Sequence, residues 1–184
     1  MTTGPAADAV GPVSTEALDP ARFADVVPAL AEVLADAVAS GASVNFVLPF
    51  DVSDAAHWWA RQADDVAVGD LQLVVARLDG EVVGCAGLVP SRKANSPHRA
   101  EVVKVLVHRR ARGRGVGTGL MAAVEALARA AGRWLLLLDT TTGSDADRLY
   151  RRLGWTPFGE VPNHALRTDG TLSDTTYFFK DLRA

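Results

Sequence analysis

The segment that most constrains this chain is AEVVKVLVH, Ala100–His108, running directly into RRARGRGVGTGLM, Arg109–Met121. The first part reads as a strand; beyond it, Val116, Leu120, Met121, Val124, Leu127 and Ala131 recur at the spacing of an amphipathic helix. Four glycines and four arginines crowd the thirteen residues that join the two. A strand, a glycine turn and a helix in that order point the first helical N–H groups, and the positive end of the helix dipole, back toward the turn. Glycines at 113, 115 and 117 let backbone approach a ligand without side-chain interference. These are the properties of a pyrophosphate cradle, although a glycine-rich surface turn has the same composition. A dinucleotide fingerprint fails, because its third glycine would be Thr118 or Leu120, and a P-loop lacks its closing Gly-Lys-Ser/Thr. A nucleic-acid patch has the arginines but no interleaved aromatics.

The flanking segments predict the rest. Residues 1–15 are rich in small residues, Gly and Pro and read as a flexible arm; residues 16–184 read as one domain. Asp19 and Pro20 open a helical pattern through Phe23, Val26, Leu30, Leu34 and Val38, which Pro28 should kink or restart. Ser53 can cap a second helix through HWWARQA, where only one of Trp58 and Trp59 can face a core squarely. Leu71–Arg77 and Glu81–Val89 read as a hairpin turning at Asp79-Gly80. WLLLLDT, a continuous apolar run, predicts a strand buried on both faces, and SDADRLYRRLGW a short helix ending at Gly154. Thr156–Val161 and Thr175–Lys180 read as antiparallel strands around a loop over 162–174. The order predicts a mixed α/β sheet whose one parallel pair is bridged by the glycine-opened helix.

Composition removes several function classes. Nineteen basic against 22 acidic residues give a formal charge of -3, so no polyanion partner is suggested overall. Cys85 is the only cysteine, which excludes an internal disulfide and a cysteine-rich zinc site; its neighbours suggest a buried strand thiol. His57, His98, His108 and His164 lack metal spacing, and no metal is expected. With no leader-like start and no run of eighteen apolar residues, the expectation is a soluble cytoplasmic protein with neither a membrane nor a nucleic-acid partner.

Two motifs then carry a resemblance. Arg112-x-x-Gly115-x-Gly117, after the strand and opening the helix, is similar to the Arg/Gln-x-x-Gly-x-Gly/Ala motif of the GCN5-related N-acetyltransferases. Ala146-x-x-Leu149-Tyr150-x-x-x-Gly154-Trp155 resembles that family's A-x-x-L-Y-x-x-x-G-F pattern, and the likeness spans roughly residues 40 to 182. PHRAEVVKVLVHRRARGRGVGTGLM, LLLLDTTTGSDADRLYRRLGW and DGTLSDTTYFFK look most like the tabtoxin-resistance type.

The resemblance implies a mostly antiparallel sheet with one splayed parallel strand pair, flanked by helices on both faces. It implies acetyl-CoA as donor, its pyrophosphate on N–H groups of Arg112, Gly113, Arg114, Gly115, Val116, Gly117 and Thr118, and its pantetheine beside Val105, Leu106 and Val107. The acetyl group would pass directly to an amine or hydroxyl of a small-molecule acceptor, an antibiotic or toxin among the candidates. Alternatives are a protein N-terminus or lysine as acceptor, or a non-catalytic CoA-binding module.

For chemistry, Tyr150 is the candidate acid for the departing thiolate, against a core tyrosine as its structural role. Glu101, four residues before Val105 and therefore expected on the same strand face, matches the glutamate base of the histone-acetyltransferase branch. Asp139, ending WLLLLD, is a second candidate base or else a turn former. The N–H of Val105 is the oxyanion donor that the resemblance implies. Asp174 and Tyr177 read as a turn aspartate and a strand aromatic, and an exposed sheet edge would allow a homodimer.

Overall fold

The computed structural model describes residues 11–183. Among these, seven strands form one sheet in the order β1-β2-β3-β4-β5-β7-β6: β1 (Val13–Ala17), β2 (Gln72–Leu78), β3 (Glu81–Pro90), β4 (Arg99–Val107), β5 (Leu135–Thr141), β6 (Thr156–Leu166) and β7 (Leu172–Asp181). Every neighbouring pair is antiparallel except β4 and β5. Helices α1 (Phe23–Ala39), α2 (Val52–Ala60) and α3 (Ala63–Ala67) cover one face; α4 (Val116–Ala130) and α5 (Asp145–Arg152) cover the other. Both sides of the sheet are therefore packed, as expected for the mixed α/β architecture.

Local chemistry explains the elements. Asp79 and Gly80 both adopt positive φ, 53° and 83°, which matches the twist of a two-residue hairpin turn between β2 and β3. Asp19 caps a single 3-10 turn, Pro20–Arg22, and α1 then runs unbroken through Pro28 instead of restarting there. The cap of α2 is Asp51, not Ser53: Asp51 and Asp54 bond each other's backbone N–H reciprocally. Trp59 is the tryptophan that enters the core, its indole N–H donating to the Leu30 carbonyl at 3.1 Å.

Three expectations need correction. Val13–Thr15, read as part of a loose arm, pair with β2; residues 1–10 lie outside the described residues. β5 is not buried on both faces: Leu136 and Leu138 enter the core toward α4, whereas Leu137 lines a cleft and Asp139 is exposed. An apolar run alone cannot separate a doubly covered strand from one whose second face borders a cleft. The 162–174 segment is mostly strand, because β6 and β7 continue to a tight turn over 167–171, with a bulge between Val161 and Ala165.

A buried ion pair joins the helical layer to the sheet. Glu125 of α4, 7% exposed, accepts from Lys180 of β7 at 2.8 and 2.9 Å and from the Trp155 indole at 3.1 Å. Lys180 also donates to the Leu153 carbonyl at 2.8 Å, so the end of α5 is held by the same ammonium. Glu125→Ala strands that ammonium and should cost about 2–4 kcal/mol, below a fully buried pair because Lys180 keeps some contact with water. Urea unfolding of the variant measures it; a loss under about 0.5 kcal/mol would mean that water replaces the carboxylate freely.

Candidate functional site

β4 and β5 pair over three residues only, Arg99, Ala100 and Glu101 against Leu135, Leu136 and Leu137. Beyond them the strands part, leaving β4 from Val102 to Val107 without a partner on that edge. The divergence coincides with a bulge in β4. Its register with β3 shifts by one residue between Gly84–Cys85 and Gly87, and Lys104 takes φ +50°, a left-handed conformation uncommon for a residue with a side chain. The bulge also breaks alternation. Glu101 lines the cleft on the α1–α3 side, whereas Val105 and Val107 pack toward α4. Glu101 and Val105 thus lie on opposite faces, contrary to the expectation from their four-residue spacing.

The glycine turn follows the open end of β4. After one 3-10 turn, Arg109–Ala111, the chain passes through Gly113 (φ 74°) and Gly115 (φ 77°) into α4, and no side chain caps the helix. The N–H groups of Val116, Gly117 and Thr118 have no intrahelical acceptor by helix geometry. A Cβ at Gly113 or Gly115 would meet open space, so positive φ is what requires glycine there. Gly117 differs: a Cβ would sit 3.1 Å from the Leu149 side chain of α5, so close helix packing also favours a glycine here.

Asp36 of α1 holds the turn in place. Its carboxylate, 9% exposed, accepts from the Arg109 backbone N–H at 2.8 Å and from the Arg109 guanidinium, with Arg112 at 3.7 Å and His108 at 3.8 Å. Arg112 Nε donates to the Val107 carbonyl at 3.1 Å, tying the turn to the open strand edge. Arg110 pairs with Glu81 at 2.5 Å. Arg109, Arg110 and Arg112 therefore each have a carboxylate partner, a division of labour that the arginine-rich sequence did not reveal.

On the α1–α3 side, a cleft of about 860 Å³ lies over the β4–β5 junction, lined among others by Trp58, Leu71, Glu101, Val103, Lys104 and Leu137. Asp139 pairs in register with Tyr177 of β7, whose hydroxyl lies 2.8 Å from His164 Nε2. Burial raises the proton affinity of Glu101, and the Asp139 charge raises it further, against the opposing effect of Arg99. Asp139 is raised by burial as well, countered by His164 and Lys104. Tyr177, His164 and Lys104 thus join the two predicted acids. The spacing of Asp139 and Tyr177 across the strand pair could not be read without the register.

Tyr150 sits near the end of α5, not its start, on the opposite face of the sheet. It is 5% exposed, its ring 6.0 Å from Phe178 and 6.1 Å from Trp155. Burial, then the Asp139 charge, raises its proton affinity, so it stays a neutral phenol. The start of α5 is fixed by Ser144 and Asp147, and the Gly143 N–H is committed to Asp147 at 2.8 Å. Burial pushes the Cys85 thiol up to about 12, which leaves almost no thiolate near neutrality. Among the described residues, no group of three or more His, Cys, Asp or Glu is placed to hold a metal, and no helix is long and apolar enough to cross a membrane.

Residues 42–155 match the Acetyltransferase (GNAT) family. The chain belongs to this family. It is 37% identical over 99 residues to an IAA acetyltransferase of Azospirillum brasilense, a match covering 51% of this chain; the chain spans 62% of that relative's length. A ribosomal-protein-alanine N-acetyltransferase from Brucella melitensis superposes with a TM-score of 0.72 at 27% identity, over 92% of this chain and 99% of that one. The acetyltransferase yncA of Salmonella typhimurium, solved with acetyl-CoA, shares the fold with a TM-score of 0.70 at 22% identity, over 92% and 94% of the two chains. Unpaired β4 backbone offers N–H and C=O groups to hydrogen-bonding partners, and the N–H groups at the start of α4 offer an anion site.

The Asp36 clamp has a pH signature. Burial alone would raise its pKa, but the Arg109 backbone and side-chain bonds, with the charges of His108 and Arg109, hold it below the ordinary value. A carboxylate depressed in the folded state stabilises fully above its unfolded pKa and loses that contribution as pH falls through the folded one. The stability gap between wild type and Asp36→Asn should therefore be full near neutrality and close as pH drops below about 4. Denaturant melts across that range test it; a gap independent of pH would remove the clamp's ionic character.

Proposed function

We propose that this protein transfers an acetyl group from acetyl-CoA directly to the amine of a small-molecule acceptor. The observation that carries this reading is the placement of candidate acid and bases on opposite faces of one gap in the sheet. Tyr150 lies on the α4–α5 face; Glu101 and Asp139 lie on the cleft face. A thioester threaded between β4 and β5 meets both.

Each step of the chemistry falls to its own residues. The N–H groups at the start of α4, with Gly113 to Thr118, hold the pyrophosphate, and the backbone of Val105 to Val107 holds the pantetheine arm. Glu101 or Asp139, directly or through water, takes the proton from the incoming ammonium. Their raised proton affinity brings them nearer to a useful base than a carboxylate at its ordinary value. The Val105 N–H receives the charge that develops on the acetyl oxygen. Tyr150, neutral and enclosed, gives its proton to the departing thiolate. Cys85, fully buried with its thiol pushed to about 12, supports direct transfer without an acyl-enzyme.

A recessed cleft over the β4–β5 junction, with Trp58 and Leu71 in its wall, supports a small acceptor over a protein substrate. The Leu48 N–H donates to the Thr168 carbonyl at 2.8 Å, joining the α1–α2 loop to the β6–β7 turn. The likeness to the tabtoxin-resistance type adds antibiotics and toxins to the acceptors worth testing. A cytoplasmic setting suits a protein with one free, buried cysteine. Edge strand β6, with Phe158 55% exposed, leaves room for a second copy.

Release of free thiol from acetyl-CoA across a panel of amines, antibiotics and N-terminal peptides tests the reading. Small amines should react, and peptides should be slower by about tenfold or more. Acetyl-CoA binding with no thiol release from any of them would leave only a CoA-binding module.

Three variants test the assignments. Tyr150→Phe should lower kcat about 10- to 100-fold and change acetyl-CoA affinity less than threefold; equal losses in both would make it a packing residue. The acid limb of kcat/KM should fall above the ordinary carboxylate range, because protonation disables the base and its folded pKa is raised. Glu101→Gln or Asp139→Asn should flatten that limb, and an unchanged profile in both would dismiss the carboxylates.

A further inference from the structure

Strict alternation along β4 would send Lys104 into the apolar layer under α4. Val103 and Leu106 pack toward α1–α3, and Val105 and Val107 toward α4. The bulge inserts Lys104 between these sets and turns it to the cleft side beside Val103. There its ammonium has three partners. Nζ donates to the Val44 carbonyl at 3.1 Å and lies 5.0 Å from the Trp58 ring centroid and 5.5 Å from that of Phe46. Phe46 in turn stacks on Phe50, at 4.4 Å, and meets Trp58 edge-on at 5.8 Å.

A carbonyl and two ring faces form a notch that selects an ammonium by charge and shape. All but Trp58 belong to the loop between α1 and α2, and Trp58 lines the cleft. The same loop is tied at its far side by the Leu48 bond to Thr168, and Val44, Phe46 and Phe50 pack against the α1–α3 core. Burial favours the neutral amine of Lys104, while the Asp139 charge opposes that effect.

We propose that Lys104 is a positioning residue for the acceptor: by stapling Trp58, and the 42–50 loop packed behind it, to the bulge, it sets the Trp58 wall against which the acceptor fits. This rests on the reading of the cleft as the acceptor site. The bulge is a backbone feature, so removing the ammonium while keeping the side chain's length releases the wall without opening the donor side.

Hydrogen–deuterium exchange of the full chain, with Lys104→Met, Lys104→Arg and Phe46→Leu, decides the matter. Amides over 42–50 should exchange about tenfold faster in Lys104→Met and Phe46→Leu and return toward wild type in Lys104→Arg, with α4 and β2–β3 unchanged. Indole emission should shift in Lys104→Met, and the shift should vanish when Trp58→Phe is added. Calorimetry should find acetyl-CoA affinity within threefold of wild type in all of them. Exchange over 42–50 within twofold of wild type in both Lys104→Met and Phe46→Leu would overturn the proposal, as would a loss of acetyl-CoA affinity as large as the loop effect. Because Phe46→Leu leaves β4 untouched, a folding failure of the lysine variant would not rescue it. Failure of the transferase reading appears separately, as no thiol release by wild type, and leaves the exchange comparison to judge the contact.

Discussion

The sheet depends on one constraint: β4 cannot stay paired with β5 once its backbone has bulged at Lys104. A bulge adds a residue and increases local twist, so the parallel pairing ends after Glu101 and a gap opens inside an otherwise continuous sheet. Backbone N–H and C=O groups along that edge are too costly to bury unpaired. Arg112 satisfies one of them, at Val107, and the remainder suit a ligand that carries amides of its own. The uncapped start of α4, a few residues further on, offers the matching anion site.

The rest of the molecule holds that gap open and oriented. Asp36 draws the glycine turn to α1, while the Glu125–Lys180 pair locks α4, the end of α5 and β7 together. The two faces of the gap then differ in chemistry. A neutral phenol among aromatic rings lies on one side, and two carboxylates with raised proton affinity on the other. Groups of different proton affinity are thus kept apart by the sheet, as the proposed acid and bases require.

Features set by local rules were legible in the sequence: the Asp79-Gly80 turn, the uncapped glycine entry to α4, the parallel pair around it and the motif that carries Tyr150. Features set by register were not. Nothing in AEVVKVLVH signals a bulge, so the strand parity that placed Glu101 with Val105 failed, and Lys104 had no feature to single it out. Gly117 matched a motif position, and its small size also answers to Leu149. Tyr177 and His164 read as a strand aromatic and a loop histidine, because only the β5–β7 and β6–β7 pairings bring them to Asp139. Asp36 lies 73 residues from Arg109, beyond the reach of any local pattern.

On the proposed reading, donor binding uses the open β4 edge and the start of α4 together. Titrating 15N-labelled protein with acetyl-CoA, and following backbone amides by heteronuclear NMR, tests it most directly. The account predicts that the largest shift changes fall on Val105, Val107 and Gly113 to Thr118, saturating together with a single affinity. Saturable binding that leaves those amides unmoved, or shifts confined to the β6–β7 edge, would contradict it.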